Sequence, residues 1–457
     1  MGDTAMIPDR PETIDRLNSY LNQEQIDSAV EMLAQFHPAD IADLMESLEE
    51  QEKKAVFQKL DTEVASEVIA HLSEFSREQI LSDLSHRRLG QIVDEMDSDD
   101  AADLLTGVPE EVVEKVLARI DAEDSEHLRR LLVHGEETAG GIMQAELVAV
   151  PQEATVAEAI DRVRLLGEDL TYLINVFVVD SKSRVLGQLS LKRLILAKPG
   201  DKVSKVMETN FKSIPVDMDQ EDVARIFQKY DLLSAPVVNG DGILVGRITI
   251  DDIMDIIEEE VSEDILRMVG SHEDELVYGD KIWKISRLRL PWLLTNLFGG
   301  LLTGYLLWIF KVALHEAIVL ITFIPVITGM GGNVGIQSSS ITVRGLATGD
   351  VDLQRLGRTI FKEVRVGLLM ALACGLTLGA VAEVWHHNPA LGVAVGSAMA
   401  AAIVVASLMG TLVPIVFKQL GVDPAVASGP FVTTANDITG ILIYLFISTL
   451  FLKYIIP

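Results

Sequence analysis

Five long apolar runs toward the end of this 457-residue chain constrain its fold more than any other feature. Each run is close to the ~20 residues that an α-helix needs to cross the hydrocarbon core of a bilayer. Inside that core the backbone finds no water, so a helix has to satisfy its own hydrogen bonds. The sequence therefore predicts a membrane domain over residues 290–457, with spans at 291–310, 317–340, 364–385, 391–417 and 430–452.

The charged residues divide the chain into two parts of different character. Residues 1–280 contain 26 Lys and Arg against 61 Asp and Glu, a net charge of −35. Residues 281–457 contain 12 against 7, a net charge of +5. The acidic part lacks the basic surface that nucleic-acid binding requires, and it favours cations as partners. We therefore expect an acidic, water-exposed part joined to a part that lies in a lipid bilayer, and no nucleic-acid partner.

The basic residues near the spans predict the orientation. With the N-terminus inside, the inner flanks carry ten Lys and Arg and the outer flanks carry two. Because inner loops are enriched in basic residues, we expect a multi-pass protein of the plasma (inner) membrane. Its N-terminal domains would be cytoplasmic and its C-terminus outside. The start of the sequence has no apolar core typical of a signal peptide, and the one cysteine, Cys374, excludes a disulfide within the chain.

Residues 1–135 have the pattern of an acidic domain built from short helices. Apolar residues recur every three or four positions in segments such as IDSAVEMLAQF and EEVVEKVLARI, which predicts amphipathic helices. The sequence DIADL at 40–44 recurs as DAADL at 100–104. These features indicate an α-superhelical domain in which each helical hairpin buries its apolar face against the next.

Residues 136–200 and 201–257 repeat one order of predicted elements. Each gives a short strand, a helix, a β-branched strand (VFVVD or APVVN), a turn (DSKS or NGDG), a strand and a closing helix. This order resembles a tandem pair of α+β CBS domains, which usually act as regulatory ligand sensors, sometimes for adenine nucleotides. ATP is therefore a candidate ligand, although no phosphate-reading motif is present. Residues 258–289 are predicted to form a connecting helix that leads to the membrane.

The last span contains a carboxylate in the sequence TTANDITG. A charged Asp437 facing lipid costs several kcal/mol, so it has to face a partner, water or a cation. Thr433, Thr434, Asn436 and Thr439 supply further oxygens nearby. Thr433 lies four residues before Asp437 and therefore on the same helix face. A cation path explains this segment better than a polar helix contact does.

The second span, FIPVITGMGGNVGIQSSSITVRG, is also unusual for a membrane helix. Its glycines and proline weaken a regular helix, and irregular backbone is tolerated only inside protein or along a cavity. Asn333 and Gln337 are four residues apart, so their amides project together. Amide and carbonyl oxygens suit hard cations such as Mg²⁺ or Ca²⁺. Close helix packing is the alternative explanation, and Asp437 favours a pore lined by both spans.

The order of these segments and the motifs PV…GGNxGxQ and NDITG resemble the MgtE family of magnesium channels or transporters over nearly the whole chain. The resemblance implies a multidomain α-helical membrane protein that is a homodimer, with a pore for Mg²⁺ on the two-fold axis. Asp437 of each subunit would hold the ion, and Asn333, Gln337 and Thr433 would line the pore. It also implies that the protein is not an enzyme.

Acidic residues cluster on three modules of the N-terminal part, in MDSDDAADLL, IDDIMDII and EEEVSEDIL among others. Neighbouring like charges repel by about 1 to 4 kcal/mol per pair, and a divalent cation between them removes that repulsion. We therefore expect cytosolic Mg²⁺ to draw the modules together and close the pore. The resemblance implies that the sensing residues are Glu67, Asp99, Asp103, Asp219, Glu221, Asp231, Asp252, Asp255, Glu260, Glu263 and Asp264.

Several alternatives remain open on sequence alone. The transported ion could be Co²⁺, Mn²⁺ or Ca²⁺, and channel and coupled carrier are not distinguished. A second alternative is a membrane-anchored CBS sensor without transport, but it would not explain why Asp437 lies within a membrane span. A CBS-regulated anion channel would place basic residues in the pore. An enzyme is the least favoured, because no HExxH motif, catalytic triad or phosphate loop is legible.

Overall fold

The computed structural model describes residues 10–167, 170, 172–272, 275, 282–311, 318–348, 351 and 356–455, without the side chains of 10, 427 and 428. The chain divides into two compact units, Met1–Glu260 and Val261–Pro457. Each unit is described by itself.

The first unit begins with a series of short helices, as the sequence predicts. The side chains of Asp61, Ser73 and Ser85 cap three of them by accepting hydrogen bonds from backbone N–H groups of the first turn. Alternate helices pack together along the series, which buries their apolar faces in one core. The helices are α1 (Arg10–Asn22), α2 (Ile26–Leu33), α3 (Pro38–Glu46), α4 (Glu50–Phe57), α5 (Thr62–Ala70), α6 (Glu74–Leu81), α7 (His86–Val93), α8 (Ser98–Thr106), α9 (Glu110–Leu117) and α10 (Ala122–Leu131).

Two three-stranded sheets follow, each with the predicted order of strands and helices. In each sheet the first two strands are parallel and the last two form an antiparallel hairpin. Ser183 and Gly242 adopt positive φ in the two hairpin turns, at 59° and 75°. The elements are β1 (Ala149–Pro151), α11 (Val156–Leu166), β2 (Asn175–Val179), β3 (Val185–Ser190), α12 (Leu191–Leu196), α13 (Val203–Val206), β4 (Ile214–Pro215), α14 (Gln220–Tyr230), β5 (Ser234–Val238), β6 (Leu244–Thr249) and α15 (Ile250–Val269).

The second sheet belongs to the same hydrophobic core as the N-terminal helices. Leu104 and Leu105 of α8 share this core with Ile248 of β6 and Ile253 of α15. The first sheet has a separate core, around Val176 and Leu189. The start of α15 is therefore packed in the core that also holds α8.

The second unit contains five helical segments, within the described residues, that are long and apolar enough to cross a membrane. They overlap the five predicted runs. The first and third begin nine and eight residues earlier than predicted, and the second ends seven residues later. The segments are α16 (Ile282–Ile309), a 3₁₀ turn (Ile318–Phe323) continued by α17 (Ile324–Ala347), α18 (Leu356–His386), α19 (Pro389–Gln419) and, after the short α20 (Pro424–Ser428), α21 (Pro430–Ile455).

The prediction of one connecting helix over 258–289 is wrong. Helix α15 ends at Val269, because Gly270 adopts a left-handed φ of 77°. The N–H of Gly270 donates to the carbonyl of Arg267, and the N–H of Ser271 donates to that of Leu266. This pair of hydrogen bonds is the usual glycine-terminated end of a helix. Residues 282–289 belong to α16, while residues 273, 274 and 276–281 lie outside the described part.

A buried cation connects three of the N-terminal helices. Lys53 of α4 is almost fully buried, and its Nζ lies 2.5 Å from Ser76 Oγ and 3.4 Å from Glu46 Oε2. Ser76 Oγ donates to Glu46 at 2.6 Å, and the N–H of Ser73 donates to the other carboxylate oxygen at 2.8 Å. Glu46 therefore supplies the charge that balances a buried ammonium and also binds the start of α6.

We expect Glu46→Ala to destabilise the α3–α4–α6 region by about 2 kcal/mol, because it leaves hydrogen bonds to a buried charged group unmade. Hydrogen exchange of the full-length protein measures this local change as faster exchange in these helices. The matched control is Glu50→Ala, which removes an exposed partner of Lys54 four residues away and should cost only about 0.5 kcal/mol. Equal effects of the two substitutions would contradict a special role for the buried network.

Candidate functional site

Asp437 lies about two turns into α21 and is half-buried in the single chain. Thr433, one turn earlier, is also half-buried, and its hydroxyl donates to the carbonyl of Gly429 at 3.0 Å. Gly332 of α17 faces this turn, since a Cβ there would lie 3.8 Å from the methyl group of Thr433. The second and fifth spans therefore meet one turn from the carboxylate.

Asn436, which the sequence offers as a further oxygen near Asp437, lies on the face of α21 that packs against α17. It is buried against α17, where its Nδ2 donates to the carbonyl of Gly331 at 3.4 Å. A Cβ on Gly335 would lie 1.8 Å from this nitrogen, so only glycine fits there. Asn436 thus holds the two spans together. Thr434 and Thr439 also use their hydroxyls within the protein, toward Asn296 and the carbonyl of Ala435.

Asn333 and Gln337 are exposed on α17 in the single chain, one turn apart. Ser338 and Ser339, which follow them, are buried instead. Ser338 Oγ lies 3.2 Å from Ser407 Oγ of α19, and Ser407 also donates to the backbone carbonyl of Glu363 on α18. One side of α17 therefore presents amides, and the other joins two neighbouring spans. Glu363 itself is buried, and sequence analysis did not single it out.

The tightest group of acids in the first unit lies where α8 meets the start of α15. Asp99 of α8 is 9% exposed, and Gln144 lies beside it with 3% exposed. Gln144 Nε2 is 3.1 Å from Asp99 Oδ2 and 3.5 Å from both carboxylate oxygens of Asp252. Asp252 also accepts from Thr249 Oγ1 at 2.8 Å. The structure thus brings together two predicted sensing residues that are distant in sequence.

Burial and mutual repulsion raise the pKa values of the carboxyl groups at this contact. The pKa of Asp99 lies well above its ordinary value, first because of burial and then because of Asp252 and Asp100. Burial and the charge of Asp252 raise the pKa of Asp100 to about 7. Burial and Asp251 raise the pKa of Asp252 to about 6, although hydrogen bonds from Thr249 act in the opposite direction. The site is therefore short of positive charge.

One buried cation at this contact escaped sequence analysis. Arg247 of β6 is 2% exposed, and its Nη1 donates to the carbonyl of Tyr172 at 3.3 Å. Burial lowers the pKa of Arg247, and the charges of Asp97, Glu146 and Asp252 act in the opposite direction. The sequence does contain a signal for this cation, an arginine inside the largely apolar strand LVGRIT, but it was not recognised.

The remaining predicted acids of the first unit lie at or near its surface, and several have local partners. Asp103 accepts from Arg77 at 2.6 Å, and Glu221 pairs with Arg225 at 3.0 Å. Asp219 caps α14, and Asp231 ends it with a left-handed φ of 51°. This group comprises Glu67, Asp103, Asp219, Glu221, Asp231, Asp255 and Glu260.

Asp255 and Glu260, both on α15, are the two acids of this group whose pKa values are raised. Burial raises the pKa of both carboxyl groups. Gln220 Nε2 donates to Glu260 Oε1 at 2.7 Å, while Glu221 repels it. A positive ligand near this face would therefore relieve an existing repulsion.

Glu263 and Asp264 belong to the second unit. Arg267 on the same helix forms an ion pair with Glu263, and its Nη1 lies 2.5 Å from Asp423 Oδ2. Asp423 caps the short helix α20 just before α21. Gly429 packs so closely on this helix end that a Cβ there would lie 2.4 Å from the carbonyl of Met268. Within the second unit, the end of α15 is thus fixed to the start of the span that carries Asp437.

No group of three or more His, Cys, Asp or Glu residues in the described ranges lies close enough to form a ready-made metal cage. The donors at the α8–α15 contact nevertheless fit a hard cation. Asp99 Oδ1 is buried and has no hydrogen-bond donor among the described residues. Mg²⁺ keeps several of its waters and binds through one or two carboxylates. Two carboxylates and an amide therefore suffice as protein ligands.

Three family models match the chain. MgtE, described as a divalent cation transporter, matches residues 324–447, and the MgtE intracellular N domain matches residues 36–137. The CBS domain matches residues 139–200 and 203–259.

Two curated relatives and one solved structure cover large parts of the chain. The magnesium transporter MgtE of Bacillus subtilis (strain 168) is 32% identical over 441 residues, 96% of this chain and 98% of that protein. The magnesium transporter MgtE of Thermus thermophilus is 35% identical over 431 residues, 93% and 95% of the two chains. The crystal structure of the cytosolic domain of the Mg²⁺ channel MgtE in complex with ATP covers 53% of this chain and 99% of its own. It has 32% identity and a TM-score of 0.50.

The raised pKa values predict that the α8–α15 contact weakens as pH rises. The pKa values of Asp252 and Asp100, about 6 and 7, exceed the ordinary value of 3.8. The stability that the protonated carboxyl groups contribute is therefore fully present below pH 3.8, and it is lost as the pH rises through 6 and 7. Without divalent cations, we expect α8 to open at least about tenfold more often at pH 8 than at pH 5.5. Hydrogen exchange corrected for intrinsic rates measures this, with α11 as the control. Unchanged protection of α8 would contradict the prediction.

Proposed function

Because this chain belongs to the MgtE family of divalent cation transporters, we propose that it carries Mg²⁺ across the plasma membrane past Asp437. The position of Asp437 carries this proposal. It is a half-buried carboxylate in a membrane-spanning helix, next to the span that presents Asn333 and Gln337. An acidic side chain within a membrane span is tolerated where it contacts water or a cation.

The chemistry of the lining suits a hydrated Mg²⁺ ion. Mg²⁺ dehydrates reluctantly, so a single carboxylate with neutral oxygens nearby holds it through its waters. Such binding is weak enough to release the ion again, as transport requires. A cage of several carboxylates would bind the ion too tightly to pass it on.

A second copy of the chain would complete this path. The amides of Asn333 and Gln337 are exposed in the single chain, and exposing amides to lipid is unfavourable. Nearly all of α16 is also unburied, with Gly299 its one buried residue. We propose a homodimer in which α17 and α21 of both copies face the two-fold axis. We also propose that the N-terminal part is cytoplasmic and the C-terminus outside, on the charge bias of the loops.

Substituting Asp437→Ala should reduce Mg²⁺ flux into liposomes to the level of protein-free liposomes, because the path loses its charged ligand. The measurement compares purified wild type and variant at low internal Mg²⁺, with the oligomeric state of both checked. The matched control is Glu383→Gln, an exposed acid at the other end of the spans, which should leave the flux unchanged.

Three results of such flux measurements, with Co²⁺, Mn²⁺ and Ca²⁺ tested beside Mg²⁺, would contradict the proposal. Equal flux in wild type and Asp437→Ala would indicate that the carboxylate has a structural role and that the ion path lies elsewhere. Wild-type protein that carries Co²⁺, Mn²⁺ or Ca²⁺ but not Mg²⁺ would assign the path to another ion. Absence of any flux would favour a CBS sensor without transport.

We further propose that cytosolic Mg²⁺ inhibits transport by binding the acids of the N-terminal part and of α15. The sensing residues would be those implied by the family resemblance, with Asp99 and Asp252 at the centre. Mg²⁺ would favour the compact arrangement because it binds that arrangement more tightly than the open one. The end of α15, fixed beside Gly429 and Asp423, would then hold the start of α21 in the closed position.

The triple substitution Asp252→Asn, Asp255→Asn and Glu260→Gln should abolish inhibition of flux by internal Mg²⁺ while leaving transport at low Mg²⁺ intact. The reason is that it removes three carboxylates of α15 whose pKa values are raised, first by burial and then by neighbouring acids. The control, Glu12→Gln with Asp15→Asn and Glu31→Gln, removes the same charge from exposed positions. Inhibition that persists in the first triple variant would refute this model of the gate.

We also propose that the CBS pair binds ATP. The support is the solved cytosolic domain of a Mg²⁺ channel in complex with ATP, which matches 53% of this chain. Calorimetric titration of the full-length protein with ATP tests this proposal directly.

A further inference from the structure

One face of α18 carries exposed cations that continue into exposed leucines. Successive residues of an α-helix point about 100° apart, so residues spaced by three, four, seven or eleven positions share a face. Six exposed residues of α18 have this spacing and lie within about 80° of one another around the helix. This face, called the α18 stripe below, comprises Arg358, Lys362, Arg365, Leu369, Leu372 and Leu376.

The opposite side of α18 is fixed against α19 by close backbone contact. A Cβ on Gly375 would lie 2.7 Å from the carbonyl oxygen of Gly396. On Gly379 it would lie 2.8 Å from the carbonyl oxygen of Gly392. Glu363, which interrupts the run of cations in the sequence, is buried on this side. The rotation of α18 is therefore fixed, and the α18 stripe points away from α19.

The dimensions of the α18 stripe match one leaflet of a bilayer. At a rise of 1.5 Å per residue, its cations extend over about 10 Å, and about 16 Å separate Arg365 from Leu376. Half of the hydrocarbon core of a bilayer is about 15 Å thick. The cations therefore reach the depth of the lipid headgroups when the leucines cover the depth of the acyl chains of one leaflet.

The charges of the α18 stripe are available to a ligand. Within the described ranges none of its three cations forms an ion pair, whereas Arg267 at the end of α15 pairs with Asp423. The guanidinium carbon of Arg365 lies 5.9 Å from the centre of the exposed ring of Phe361. Such a contact orients an arginine and leaves its charge and its N–H donors free to bind an anion.

A ligand that uses the whole α18 stripe has to combine a phosphate with a long apolar chain. Arginine and lysine bind phosphate oxygens through charge-assisted hydrogen bonds. A zwitterionic phospholipid carries an ammonium group that the three cations would repel, and a soluble phosphate has no contact for the leucines. The bias of inner loops toward basic residues explains cations at this end of the span, but it does not require them to share a face with the leucines.

We propose that the α18 stripe binds an anionic phospholipid, with the lipid phosphate at the cations and an acyl chain along the leucines. In the proposed orientation this lipid belongs to the cytoplasmic leaflet, where basic segments next to a span attract anionic lipids. The site is separate from Asp437 and from the acids of the N-terminal part, and it does not depend on which ion is transported.

The test is native mass spectrometry of the full-length protein, stripped of lipid in detergent and titrated with phosphatidylglycerol. Replacing all three cations of the α18 stripe by glutamine should weaken the affinity about a hundredfold, since each basic residue strengthens attachment to an anionic lipid roughly fivefold. Phosphatidylcholine with the same acyl chains should bind weakly, and equally, to wild type and variant. Glycerol phosphate should not bind at concentrations where phosphatidylglycerol saturates the site.

Two control variants separate charge at this face from charge in general. The triple variant Arg358→Lys, Lys362→Arg and Arg365→Lys keeps the three charges and should retain the affinity within about threefold, since both side chains bind phosphate. Removing the same charge from exposed positions of the first unit should leave lipid binding unchanged. The lysines to replace by glutamine for this control are Lys192, Lys198 and Lys202.

Three results would overturn the proposal. The first is equal affinity for phosphatidylglycerol and phosphatidylcholine, or an affinity that the glutamine variant does not change. The second is binding of glycerol phosphate as tight as that of the lipid, which would assign the cations to a soluble phosphate. The third is a change of oligomeric state in the same spectra with lipid binding unchanged, which would assign this face to a second copy of the chain. Lys362→Gln alone, expected to weaken lipid binding about fivefold, gives the same decision if the triple glutamine variant does not fold.

Discussion

The cost of keeping carboxylates away from water is the constraint on which both units depend. In the first unit, Asp99 and Asp252 are held together by an amide and lie in the core that also packs α8 and α15. In the second, Asp437 lies half-buried in a helix that otherwise suits a bilayer. In either position an ionised carboxylate is stable only if a positive charge or water lies beside it. The same constraint thus supports the proposed ion path in one unit and the proposed ion sensor in the other.

Most of the architecture was predictable because its signals are local. A run of apolar residues of bilayer length, the helical spacing in residues 1–135 and the alternation of strands and turns each lie within one segment. The predicted connecting helix failed at Gly270, where one residue with left-handed φ ends α15 despite an acidic, helix-favouring sequence before it. Asn436 was predicted to supply an oxygen near Asp437. Adjacent residues of a helix point about 100° apart, so the side chain of Asn436 points toward α17, where Gly335 leaves space for its amide.

The parts of the candidate site that sequence analysis missed are contacts between distant segments. Gln144 meets Asp99 across 45 positions and Asp252 across 108. Nothing in the sequence around an isolated glutamine indicates such partners. Arg247 and Glu363 were missed for a related reason, since a single charge in an apolar segment becomes informative only when its burial is known. Clusters of like charge were visible in the sequence, whereas the neutral and positive groups that organise them were not.

The partners of the outer acids indicate where a cation has most effect. Asp103, Glu221 and Glu263 each have an arginine beside them, so part of their repulsion is already removed by the chain itself. Exposed pairs of this kind contribute about 0 to 1 kcal/mol and are weakened by salt. Asp99 and Asp252 are different, because burial and neighbouring carboxylates raise their pKa values. A divalent ion gains most where that repulsion is strongest. In the proposed regulation, binding of Mg²⁺ at the α8–α15 contact would therefore contribute more to closing the gate than binding at the arginine-paired acids.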